Sequence, residues 1–429
     1  MIGGGTFTTM TKTEPGFYFN AVSSDTVTVA AGERGYAAYA HTCGWGEDDK
    51  IVEMTSDDFM NNSRKIFGYA YDDDHVQPIR EIFQHATVLY TYKLASGGEK
   101  ATCSFATAKY AGTRGNALKV AILKDPDNTS NFIVRTFLED TKVDEQSVAD
   151  ATNLVDNDFV SFKTSAALAE TALLALSGGT DGTIDASAHA SFMAKLEMYP
   201  STNVVGYDGI DTAIAKSYVS WAKRMRDEAG VKVVVVCYNE TSDYEGVIGV
   251  ANAAKAVPWT IGAEAGCAEN ASLDNTAYDG ELTENDLNIQ DFTRLKLKDC
   301  LKKGLFAFHL LEGEVKVYED INTLVTYKDS KSKEFRDNKT IRILDKIARD
   351  IARIFVTSYY GGRNDKTSRN SFKASVINDF KQLENSFAIE NFSEDDVQIS
   401  QPDKDSVAVS APVQVVGTMR KIYMTVTVA

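Results

Sequence analysis

The sequence predicts a mixed α/β (α+β) fold: a nested α/β core, a small inserted β domain, and extended β arms at both ends. Three observations carry this. Continuous apolar strands such as Val231–Cys237 alternate with amphipathic helices, the pattern of a parallel sheet covered on both faces. Between 93 and 177 the pattern changes to short alternating runs broken by turn signals, the spacing of a small β domain. Both ends are apolar and extended. The resulting layout is an N-terminal arm over 1–25, a first core part over 26–92, a β-rich insert over 93–177, a second core part over 178–404 and a C-terminal strand arm over 405–429.

The arm over 1–25 is punctuated by Gly3, Gly4, Gly5, Pro15 and Gly16, which disfavour a packed helix. Phe7, Phe17, Tyr18 and Phe19 make it too apolar for a solvated tail. Tyr36–His41 reads as a strand, Ser56 and Asp57 as caps of a short helix running to Gly68, Gln77–Gln84 as helix, and Thr87–Tyr92 as strand. In the insert, Ala117–Leu123 and Asn131–Phe137 read as strands, and Leu168–Leu176 as a helix leading out. The core resumes with Val204–Tyr207 as a buried strand. Asp211 caps a helix carrying Ile214, Tyr218, Trp221, Ala222 and Met225 on one face, ended by Gly230. Leu305–Leu311 reads as strand. A long helix around Lys339–Phe355 carries Ile343, Ile347, Ile351 and Ile354 on one stripe and Arg342, Lys346, Arg349 and Arg353 on another. Ser371–Phe387 is a further amphipathic helix. Over 405–429, Val407, Val409, Ala411, Val413 and Val415, then Ile422, Met424, Val426 and Val428, recur at period two, so the segment reads as strand that must be paired.

With 429 residues the chain can bury large cores without disulfide or metal staples. The five scattered cysteines form no CxxC and read as reduced thiols. The net charge of −16 argues against general nucleic-acid binding, which neutralises phosphates with Lys and Arg. No run of 18 apolar residues suggests a membrane span, and the first residues do not read as a secretory signal. The charge is uneven. Asp291–Lys381 holds 20 Lys/Arg against 13 Asp/Glu, a net of +7, which leaves −23 elsewhere. Such asymmetry suggests two surfaces with different partners, or ordinary helix-surface charge.

The chemistry-bearing motifs are weak. No HxH, HExxH or Cys/His cluster appears among the five histidines, and Asp72-Asp73-Asp74 reads as a solvated acidic turn, so no metal is expected. Ser177–Thr183 and Gly112–Gly115 lack the Gly-Lys-Ser/Thr ending of a phosphate cradle and read as tight turns. No GxSxG elbow is present. No catalytic residue or cofactor is expected.

The ends carry more information. An exposed strand edge must be paired, either within the subunit or with a neighbour by strand addition. A head-to-tail contact that does not close gives a helical assembly. In this light the ordered succession of short motifs resembles the contractile tail sheath proteins of myophages and phage-tail-like bacteriocins, especially those of Gram-positive hosts. The carriers are Pro15–Tyr18, Arg34-Gly35, Trp45-Gly46, Ala108–Tyr110 with Gly112–Asn116, Leu176–Gly182, Val257–Trp259 with Ala263 and Gly266, then Asn270, Ser272 and Leu273, and Lys421–Val426. Ala111 stands where the family usually has Pro.

The resemblance implies a helical homo-oligomer of many copies around an inner tail tube protein, with baseplate and tail terminator proteins as further partners. It implies no enzyme activity, nucleic acid or direct membrane insertion. The sheath contracts to drive the tube through a bacterial envelope. Arms of neighbours complete one another's sheet, through Phe7, Phe17, Tyr18 and Phe19 at one end and Ile422, Tyr423, Met424, Val426 and Val428 at the other. The core faces the tube and the insert lies outside. Assembly would occur in the bacterial host cytoplasm, followed by residence in a virion tail or a released bacteriocin particle. Arg342, Lys346, Arg349 and Arg353 are the expected tube- or neighbour-facing stripe. Another tail component, a tube or baseplate protein, is the alternative, and an α/β enzyme without recognisable motifs stands behind that.

Overall fold

The computed structural model describes residues 3–5, 16–18 and 34–427. Strands β1 (Gly3–Gly5) and β2 (Gly16–Tyr18) pair in parallel. The chain divides into two compact units, Tyr36–Phe83 with Thr87–Thr202, and Met1–Gly35 with Gln84–Ala86 and Asn203–Ala429.

In the first unit, β3 (Tyr36–His41) runs parallel to β5 (Val88–Lys93), which pairs antiparallel with β4 (Ile51–Thr55). Helix α1 (Ser56–Phe67) starts one residue earlier than the sequence suggests. Thr55 and Asp58 form a reciprocal capping box, and Gly68 ends the helix in the left-handed region at φ 79°. Its Phe59 is fully buried against Phe67 and Phe83, the last residue of α2 (Gln77–Phe83).

The β-rich part pairs β6 (Ala106–Ala108) with β10 (Val160–Phe162). Beside them, β7 (Leu118–Lys124), β8 (Phe132–Leu138), β9 (Thr141–Val148) and β11 (Thr171–Ala175) form one antiparallel sheet in the order β11-β7-β8-β9. Alternation places Leu118, Val120, Ile122, Val134 and Leu138 inward, around a fully buried Trp45. The helix expected over Leu168–Leu176 is therefore the strand β11. Its neighbour β7 offers an open ladder, and tertiary pairing overrides a leucine-rich local preference.

The two glycine-rich loops latch together. Gly112 sits at φ +135°, and a Cβ there would lie 2.1 Å from the Gly44 carbonyl oxygen. Asp181 accepts from the Thr113 amide at 2.8 Å and its hydroxyl at 2.6 Å. Asn116 exchanges two bonds with the Gly179 backbone. Helix α3 (Ala186–Leu196), capped by Asp185, closes this unit.

The second unit holds a parallel sheet of β12 (Val204–Tyr207), β13 (Val234–Tyr238), β14 (Val247–Val250) and β15 (Leu305–Phe306). Helix α4 (Thr212–Asp227), capped by Asp211, buries Tyr218, Trp221, Ala222 and Met225 as the periodicity predicts. Helix α5 (Val257–Gly266) lies against the sheet where Gly206 leaves room, a Cβ there being 2.3 Å from Ile261. Helix α6 (Arg294–Lys303) ends at Gly304 in the left-handed region.

The strand expected over Leu305–Leu311 is broken at Ala307. Its second half, β16 (Phe308–Leu311), forms a hairpin with β17 (Glu314–Val317). Helices α7 (Asn338–Ser358) and α8 (Lys366–Asn385) pack Ile343, Ile347 and Ile351 against Phe372, Val376, Phe380 and Leu383. A last hairpin pairs β18 (Gln398–Ser400) with β19 (Ala408–Ser410). Among the described residues no helix is long and apolar enough to cross a membrane.

Candidate functional site

The expected site is the pair of arms and the basic stripe of α7. Beyond β19 the C-terminal segment forms one isolated bridge, Val415 to Ile389, and no strand among the described residues. This corrects the expectation of strand throughout 405–429: among the described residues only Ala408–Ser410 joins a ladder within the chain. Ile422, Tyr423, Met424 and Val426 are instead 88, 91, 79 and 72% exposed. Val428 lies outside the described residues.

At the other end, Phe7 and Phe19 also lie outside them, while Phe17 and Tyr18 belong to β2, with Tyr18 half-buried. The partner strand β1 is held on its own subunit at Gly5. Its φ is +124°, and a Cβ would lie 2.2 Å from the Asp227 carbonyl oxygen at the end of α4.

The basic stripe is not continuous in space. Arg342 is fully buried, donating to Glu264 Oε2 and Asp320 Oδ2 at 2.6 Å each and to the Ala271 carbonyl at 2.9 Å. Lys346 is buried against Asp350. Arg349 is half-buried, and Arg353 is exposed and pairs with Asp350 at 2.7 Å. The expectation of one tube- or neighbour-facing stripe thus fails for Arg342 and Lys346. A helix with an apolar face this wide turns flanking cations inward, where carboxylates neutralise them, Glu264 and Asp320 for Arg342 and Asp350 of the same helix for Lys346.

Around Arg342 is a polar network that periodicity alone does not reveal. Asn338 Nδ2 donates to Glu264 Oε1 at 3.0 Å and Asp320 Oδ1 at 2.8 Å. The Leu273 amide donates to Asp320 at 3.0 Å. Burial, and the nearby Asp320 carboxylate, push the Glu264 carboxyl up to about 8, against the pull of Arg342. Asp320 is held well below the carboxylate range despite its burial, by Arg342 and by hydrogen bonds from Glu264 and the Leu273 amide.

The network reaches the roots of both arms. Arg34, in the first core part and the first described residue after the N-terminal arm, donates to the Glu264 carbonyl at 2.5 Å. Arg420, just before the exposed C-terminal stretch, donates to Asp274 and Asp337 at 2.6 Å each. Asp274 in turn accepts from the Asp320 amide at 2.6 Å. One sequence signal for this was available: Glu264 is the single charge in the otherwise apolar run Val257–Gly266.

Comparison with known proteins locates this arrangement. Profiles of four phage tail sheath domains match in succession: the N-terminal region of domain III of the tail sheath protein Gp18 over 34–94, the β-sandwich domain over 96–181, the central domain over 182–323 and the C-terminal domain over 330–429. The phage-like element PBSX protein XkdK of Bacillus subtilis strain 168 is 30% identical, with both chains covered over their full length. The chain belongs to the phage tail sheath protein family. Its fold matches the sheath tail protein of Desulfitobacterium hafniense with a TM-score of 0.82 at 32% identity, covering 95% of this chain and 99% of the other. The sheath tail protein of Listeria innocua matches with a TM-score of 0.74 at 28% identity, over 93% and 96%. This sheath chain is a structural component of a phage tail or a related particle, and its mixed α/β architecture is that of its relatives.

Proposed function

We propose that the subunit polymerises as a helical sheath around an inner tube, and that its terminal arms add strands to neighbouring copies. The core is 26–92 with 178–404, the insert is 93–177, and 1–25 and 405–429 are the arms. The observation behind this reading is the C-terminal stretch at Ile422–Val426. Its side chains alternate with strand period, are mostly exposed, and have no ladder of their own. Exposed apolar strand of this kind is an aggregation hazard unless another chain covers it.

Main-chain pairing of this type does not depend on interfaces between cores. It therefore survives a change of lattice, while core contacts are exchanged for those of a lower-energy contracted state. Contraction then needs no nucleotide, and the subunit works as a mechanical rather than a catalytic component. Tube, baseplate and terminator proteins are its proposed partners, with assembly in the host cytoplasm. Within 291–381, a partner-facing role rests on exposed cations such as Arg353, Arg294, Lys298 and Lys303, not on Arg342 or Lys346.

Removal of residues 421–429, beyond the last anchored side chain, tests the arm. Negative-stain microscopy of the truncated chain should show monomers or short oligomers where the full chain gives long hollow cylinders. Long cylinders from the truncated chain overturn the arm reading.

A further inference from the structure

The described part of the C-terminal segment beyond Val416 has one side chain fixed to the body of the protein. Met419 is fully exposed, and Ile422 to Val426 are nearly so. Arg420 between them has a side chain only 20% exposed, clamped by Asp274 and Asp337. Two charge-assisted bonds of 2.6 Å to separate carboxylates fix both the position and the direction of a guanidinium. Its outermost nitrogen also points toward the Asp320 carbonyl, at 3.5 Å.

The two carboxylates are not isolated. Asp274 holds the Asp320 amide, and the Asp320 side chain holds Arg342 and Asn338. Both of these reach Glu264, whose own carbonyl holds Arg34. A connected series of hydrogen-bonded groups therefore runs from the last anchored residue described in the C-terminal arm to Arg34, the first described core residue after the N-terminal arm. Most of it is buried, with Glu264, Asp320, Asn338 and Arg342 at 2, 0, 3 and 1% exposure. In such surroundings each bond is strong, and an unpaired member is expensive, so members tend to keep or lose their partners together.

We propose that Arg420 is the positioning residue of the C-terminal arm, and that it is coupled through Asp274, Asp320, Arg342 and Glu264 to Arg34, so that the two arm roots behave as one rigid fitting. The proposal rests on the arm reading above for its role in assembly, but not for the coupling itself. In a lattice whose subunits rotate while staying joined by their arms, such a fitting passes torque from one arm to the other through the core. Arms on independent swivels would let the body turn without moving the connections.

The test uses the full chain with Arg420→Gln, Arg420→Lys, Arg34→Gln and the Arg34→Gln/Arg420→Gln pair. Amide hydrogen exchange is read on the unassembled subunit, where the arm reading plays no part. Arg420→Gln should speed exchange both in the segment before it and at Gly35, whose amide donates to Asn203 Oδ1. Circular dichroism should be unchanged. Arg420→Lys should be intermediate, because it keeps the charge but loses the fork. In assembly, Arg420→Gln should raise the protein concentration needed for cylinders several-fold. The double variant should then cost less than the two single effects together, the sign of coupled sites.

Exchange at Gly35 that ignores Arg420→Gln, or strictly additive effects in the cycle, overturns the coupling. Cylinders at the parent concentration from Arg420→Gln overturn the positioning role. Failure of the sheath reading shows separately, as an unsubstituted chain that makes no cylinders.

Discussion

Arg342→Met is the sharpest single test of the network. Methionine keeps an apolar stem but cannot donate, leaving Asp320 without its cation and Glu264 Oε2 without its donor. Both carboxyl groups stay buried, with Asn338 as the main remaining donor to each. Removing one partner of a buried ion pair costs about 3–5 kcal/mol, mostly through the charge left behind. At about 2–4 °C per kcal/mol for a unit of this size, melting should fall by ~10 °C.

The assay can be confined to the relevant unit. Trp45 belongs to the first unit, and Trp221 and Trp259 to the second. In a Trp45→Phe background, tryptophan fluorescence during urea unfolding reports the second unit alone. A loss below about 1 kcal/mol, the range of exposed pairs, would refute the claim that Arg342 is internally committed and restore it as a candidate partner-facing cation.

Other outcomes follow from the same geometry. Arg353→Ala, a mostly exposed cation paired with Asp350, should change stability by only ~0–1 kcal/mol in the same unfolding assay. Arg226→Met breaks a buried two-bond pair with Asp345, at 2.7 Å for each bond, and should cost about 3–5 kcal/mol. Gly112→Ala should destabilise the first unit by at least about 1–3 kcal/mol, because φ is left-handed and the Cβ meets the Gly44 carbonyl oxygen, which near-ultraviolet dichroism around Trp45 would detect. The pH dependence has a definite sign. Glu264 binds its proton more tightly folded than unfolded, so its contribution is full in acid and is lost as pH rises from the ordinary Glu range to about 8. Asp379, raised to about 6 by burial and Asp350, adds a loss of the same sign at lower pH. Glu264→Gln should flatten the upper part of the slope in melting curves taken across that range.

The sequence was most legible where one short-range rule governs. Asp211 before a 3.6-period stripe, Gly68 after one, and the run around Val234 lead directly to α4, α1 and β13. Legibility failed where a distant partner decides. Leu168–Leu176 has the composition of a helix, but β7 claims it as strand. The period-two tail has the composition of a strand, but among the described residues it is unpaired beyond Val415. The candidate site shows the same division. The exposure of Ile422–Val426 accords with the alternation read there, because exposure follows a local pattern. The network cannot, because its members come from separate segments of the chain, and only the fold reveals that Arg342 and Lys346 of α7 point at carboxylates rather than at solvent.

The clamp at Arg420 also sets a length. Residues 421–427 can span about 23 Å at ~3.3 Å each. A segment confined to a sphere of that radius searches its surroundings at an effective concentration of tens of millimolar, as short flexible tethers generally do. A strand docked on a neighbour and then pulled off would thus re-dock on the same neighbour long before a free copy could replace it.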